Sequence, residues 1–116
     1  MMLRKYQWHK IAESLAETGV AEKEARNITV GGKTICLALF KDKLYGCAQK
    51  CPHAGAPLAD GYIDEQGNIV CPLHRYKFSL EKGRNTSGEG YFLKTYPVEE
   101  RPDGIYIGID TGIFGW

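Results

Sequence analysis

The chain has 116 residues, 43% hydrophobic and 25% charged, which fits one globular domain over 1–116 and excludes disordered and fibrous classes. Fifteen Lys and Arg stand against fourteen Asp and Glu with no block of like charge, so the field gives no reason to invoke nucleic acid. The longest apolar run, Ile35 to Phe40, is far shorter than the roughly 20 residues that cross a bilayer, and Met1 to Lys10 lacks the apolar centre of a signal peptide. A cytoplasmic, reducing location is expected, where the four cysteines are metal ligands or core residues rather than disulfides.

In the first quarter Ile11, Ala12, Leu15 and Ala16 fall at helical spacing, while Gln7 to Ala12 also reads as a strand; periodicity leaves both open. Gly31-Gly32 between Ala25–Val30 and Lys33–Phe40 predicts a hairpin, and Asp42-Lys43 turns the chain again into Leu44 to Ala48. From Gln49 to Gly90 the pattern weakens into loops rich in Gly, Pro, Asn and Ser, broken by short apolar pieces at Tyr62-Ile63, Ile69-Val70 and Lys77 to Leu80. Isoleucines alternate through Ile105-Tyr106-Ile107-Gly108-Ile109, the period of a half-buried strand that closes the fold. The apolar tail Ile113-Phe114-Gly115-Trp116 reads as a packed terminus.

Two short groups in the loop region carry chemistry. Cys51-Pro52-His53 and Cys71-Pro72-Leu73-His74 each pair a thiol with an imidazole, and seventeen residues separate them. Pro52 and Pro72 fix their own φ and bias the preceding cysteines away from the helical region, which stiffens both loops. Gly55 suits a tight return of the backbone close to a metal cluster, where a side chain would collide. Cys36 lies in the apolar run and reads as core, as does Cys47, and His9 reads as a surface or half-buried histidine. No acid–base pair, activated nucleophile or phosphate-binding glycine motif accompanies these groups, so the chain is not expected to be a complete enzyme.

The spacing Cys-x-His, seventeen residues, Cys-x-x-His resembles the Rieske iron-sulfur family. The likeness extends from Trp8 through Leu44-Tyr45-Gly46, Pro57-Leu58 and Gly61 to Tyr96-Pro97-Val98. It implies an all-β fold, an antiparallel β-sandwich or barrel with an inserted cluster-binding subdomain at approximately 47–90. It also implies that Gln7 to Ala12 is a strand, followed by a turn or short helix. One two-iron, two-sulfur cluster is the implied cofactor, with Cys51 and Cys71 on one iron and His53 and His74 on the other.

High-potential Rieske proteins carry an extra cysteine in each loop, joined as a disulfide; Ala56 and Leu73 stand in those places here. Their tyrosine four residues after the last ligand is Phe78, which has no hydrogen to donate to a thiolate, and their serine two residues after that ligand is Tyr76. The potential is therefore expected near the low end of the Rieske range, roughly −150 mV. Arg75 stands where the family usually has glycine, changing both backbone freedom and charge. The third loop, Asn85 to Gly90, lacks the prolines that the family often has there.

The resemblance implies an electron carrier that takes single electrons from a flavin-containing reductase and delivers them to a terminal oxygenase or other oxidoreductase, with catalysis belonging to those partners. Docking is expected at Ala54-Gly55-Ala56-Pro57, rimmed by Lys50 and Arg75. Two other readings remain: a fixed small subunit of a larger enzyme such as nitrite reductase, and an interaction module stabilised by zinc on the same four residues. Zinc loops usually space ligands by two to four residues, whereas Cys-x-His leaves one between them.

Overall fold

Gly31 and Gly32 both take positive φ, 56° and 78°, the conformation that a two-residue turn between twisted strands requires. Around that turn β2 (Ala25–Val30) pairs antiparallel with β3 (Lys33–Phe40), Val30 opposite Lys33, as the sequence predicts. The next turn falls one residue earlier than expected. Lys41 and Asp42 hold the positive φ angles, and β4 (Lys43–Ala48) begins at Lys43, opposite Phe40.

The computed structural model describes residues 3–53 and 55–114, with side chains over 6–53 and 55–110. β1 (Leu3–Ala12) is a strand followed by a short 3-10 turn at Ala16–Thr18, so the resemblance, rather than the helical spacing, gave the right reading. β1 lies against β10 (Gly104–Phe114), which also pairs with β9 (Val98–Arg101). A second antiparallel sheet runs β2-β3-β4-β8, with β8 at Thr95–Tyr96. A third consists of β5 (Tyr62–Ile63), β6 (Asn68–Val70) and β7 (Lys77–Ser79), the three short apolar pieces of the loop region. The fold is thus all-β and antiparallel among the described residues. Gly115-Trp116, the end of the apolar tail, and Ala54 of the expected docking tip lie outside them.

β3 explains how the pieces join, because every residue from Ile35 to Leu39 is buried. Successive side chains of a strand point to opposite faces. Ile35, Leu37 and Leu39 pack with Ile105 and Ile107 of β10 in the cores of the sandwich. Cys36 and Ala38 belong to the other core, with Leu58, Ile63, Ile69, Phe78, Leu80 and Leu93. That core also contains Cys51 and Cys71, so one strand floors the loop region and walls the sandwich. Cys36 lies directly opposite Cys47 across β3 and β4, both fully buried. Their mutual hydrogen bond, reinforced by burial, pushes the Cys47 thiol up. Both are core residues, as expected.

Candidate metal centre

The first loop leaves β4 and is tied at its base, where the Leu58 amide donates to the Gln49 carbonyl at 3.0 Å. The Cys51 amide donates to Ala56 at 2.9 Å, and the Gly55 amide returns to the Cys51 carbonyl at 2.9 Å. Gly55 sits at φ 72°, with no protein atom within 4 Å of where a Cβ would stand. Among protein atoms, the left-handed backbone asks for glycine there. The loop returns to the third sheet through Gly61, whose Cβ would lie 1.8 Å from the Val70 carbonyl oxygen.

The second loop joins β6 to β7 and is closed by the Cys71 amide donating to Tyr76 at 2.9 Å. His74 and Arg75 both adopt the left-handed conformation, φ 67° and 58°. Glycine at the Arg75 position would thus answer a backbone requirement, and a residue with a side chain meets it at about 1–2 kcal/mol.

The four singled-out side chains meet as two like pairs. The Cys51 and Cys71 thiols are buried and in hydrogen-bonding contact. Burial pushes the Cys71 thiol up, the Leu73 amide donates to its sulfur and opposes that, and Cys51 beside it adds to the rise. The His53 and His74 rings lie edge to face, their centroids 5.3 Å apart. Among the described residues no three His, Cys, Asp or Glu side chains converge as a single metal ion would need. His53 Nδ1 is buried without a hydrogen-bond partner. A buried unpaired nitrogen calls for an explanation such as a bound ion, and an imidazole nitrogen beside a second imidazole and two buried thiols fits a two-iron centre.

The two histidines are not equivalent. His74 is exposed, whereas His53 is half-buried beneath a roof that sequence reasoning did not find. Tyr76 stacks on the His53 ring at 4.2 Å and 28°, and Tyr91 closes over the same ring at 5.4 Å. Tyr91 directly follows the third loop, which is organised around the Asn85 side chain. Asn85 Nδ2 donates to the Lys77 carbonyl of β7 at 2.9 Å and to Glu89 Oε1 at 3.0 Å, and Asn85 Oδ1 accepts from the Gly90 amide at 2.8 Å. Ser87 Oγ donates to Glu89 and accepts from the Lys77 amide. Side-chain hydrogen bonds thus organise a loop that, from Asn85 to Gly90, has no proline. The available signal was the Asn-Thr-Ser-Gly-Glu-Gly composition, whose Asn and Ser side chains bond readily to nearby backbone.

The Rieske [2Fe-2S] domain model matches residues 7–97. The chain belongs to that family. Its Rieske relatives include the ferredoxin component of a naphthalene 1,2-dioxygenase system from Pseudomonas putida, 31% identical over 91 residues, 78% of this chain and 86% of that protein. A second relative is the NAD(P)H nitrite reductase of Emericella nidulans, 37% identical over 90 residues; the match covers 70% of this chain but spans only 8% of the fungal protein. Among solved structures, a Mycobacterium tuberculosis chain assigned to the small subunit of an NADH-dependent nitrite reductase shares the fold. The TM-score is 0.77 at 16% identity, with 90% of this chain and 96% of that one covered. As a Rieske domain the chain is an iron-sulfur protein of electron transfer, which leaves zinc without support.

Proposed function

We propose that Cys51 and Cys71 hold one iron and His53 and His74 the other iron of a single Rieske cluster, within one Rieske domain spanning 1–116 whose cluster subdomain covers approximately 47–90. The observation that carries this is the pairing of thiol with thiol and imidazole with imidazole, with His53 Nδ1 buried and unpartnered. Such a cluster, when bound, takes up and releases one electron at a time. The chain's own residues exclude water from the thiol side through Leu58, Phe78 and Leu93 and leave His74 open to a partner. The Leu73 amide offers its hydrogen to the Cys71 sulfur.

The chain is a carrier in the cytoplasm rather than an enzyme, receiving electrons from a flavin-containing reductase and passing them to a terminal oxygenase or reductase. The dioxygenase ferredoxin component, matched over most of its length, supports this reading. A fixed subunit of a nitrite reductase is the second reading, favoured by the fungal relative and the mycobacterial fold. Purified protein should contain iron and acid-labile sulfide in equal amounts, and paramagnetic resonance of the reduced form should show the low average g value of mixed Cys and His ligation. An all-cysteine spectrum, or zinc in place of iron, rejects the ligand assignment. Migration in a cell extract at the size of the free chain supports the carrier, and co-migration with a nitrite reductase supports the subunit.

A further inference from the structure

The third loop brings a carboxylate to the histidine side of the centre. Glu89 lies two residues before Tyr91, whose ring meets His53 at 5.4 Å. Asn85, which holds Glu89 at 3.0 Å, is itself anchored to Lys77 of β7, the residue after Tyr76, and the Tyr76 ring stacks on His53 at 4.2 Å. The carboxylate is therefore held by Asn85 and Ser87, both of which are tied to the Lys77 backbone beside Tyr76. We propose that Glu89 is a positioning residue for charge, lowering the reduction potential of this chain from the histidine side while Asn85 and Ser87 hold it there.

This role of Glu89 rests on the ligand set proposed above and is a second cause of low potential, independent of Phe78. A negative charge near a redox centre disfavours an added electron by Coulomb repulsion. The donors Ser87 and Asn85 hold the Glu89 carboxyl below its ordinary range, with His53 nearby acting in the same direction, so it is ionised at neutral pH. The same charge, after burial, contributes to the rise of the Tyr76 hydroxyl, which places it within electrostatic reach of both rings of the stack. Glu89 is solvent-exposed, so its influence is screened by salt.

Glu89→Gln keeps the shape and an accepting oxygen while removing the charge. By film voltammetry at pH 7 and low ionic strength, its reduction should become two- to tenfold more favourable, a rise of roughly 20 to 60 mV at about 59 mV per tenfold. At about 1 M salt, where the screening length is about 3 Å, the difference from wild type should fall below half. Glu100→Gln, on β9 of the sandwich, is the charge control and should leave the potential in place. A Glu89→Gln potential no higher than that of Glu100→Gln, or a shift that persists unchanged at high salt, overturns the proposal. Glu89→Ala, read the same way, serves if the glutamine variant loads poorly. Loss of the mixed-ligand resonance signal in wild type would instead count against the ligand assignment.

Discussion

Phe78 is fully buried in the core that contains Cys51 and Cys71 and has no hydroxyl to donate there. Phe78→Tyr is expected to raise the reduction potential. A hydrogen bond to a charged acceptor contributes about 1.5 to 3 kcal/mol, of which only the part that differs between the two redox states counts. If that part is about 0.5 to 2 kcal/mol, the shift is roughly 20 to 90 mV at about 59 mV per tenfold. Voltammetry of both proteins at one pH checks it; an unchanged potential with lowered stability means that the hydroxyl is buried without a partner. At this scale the ligand candidates were legible because their spacing is local, fixed by Cys-Pro-His and Cys-Pro-Leu-His. The roof over His53 was not, because Tyr76 and Tyr91 meet only after the third loop folds back on β7.

Among the elements, the β5–β6 turn leans on the side chain of Asp64. Asp64 Oδ1 accepts from the amides of Gln66 and Asn68, each at 2.9 Å, while Oδ2 accepts from Asn68 Nδ2 at 3.0 Å and lies 3.7 Å from Lys77 Nζ on β7. Burial alone would push the carboxyl up, but the Asn68 and Gln66 donors outweigh it, so Asp64 stays below the usual carboxylate range. A group depressed in the folded state contributes stability above its unfolded pKa, about 4, and loses it as pH falls through the folded value. Asp64→Ala should therefore cost about 1 to 2 kcal/mol in urea unfolding at pH 7. That difference should shrink steadily below about pH 4; a cost independent of pH would mean that the carboxylate charge plays no part. Such turns were only partly legible. The strands Ala25–Val30 and Lys33–Phe40 could be read to the residue because Gly31-Gly32 leaves one register, whereas Asp42-Lys43 missed by one residue because Lys41, without glycine's freedom, takes the left-handed turn position.

For the whole molecule, the two loops that carry Cys51-Pro52-His53 and Cys71-Pro72-Leu73-His74 leave His74, Leu73, Arg75 and Lys50 exposed. Charges at the rim of an interface act mainly on association rate and its salt dependence. Arg75→Glu should slow electron delivery to an acidic partner several-fold at low ionic strength and little at high salt, as read by stopped-flow reduction. Equal rates for both proteins at low salt with every reductase and oxygenase tried would place docking elsewhere.

The double burial of β3 has a consequence for how the protein comes apart. Its amides lie between two cores, so neither the sandwich nor the core around Cys51 and Cys71 can open fully without uncovering part of the same strand, Ile35 to Leu39. Hydrogen exchange along β3 should be the slowest in the chain and should proceed through whole-molecule opening. Full opening of the core around Cys51 and Cys71 and loss of the sandwich are then expected to be a single cooperative event.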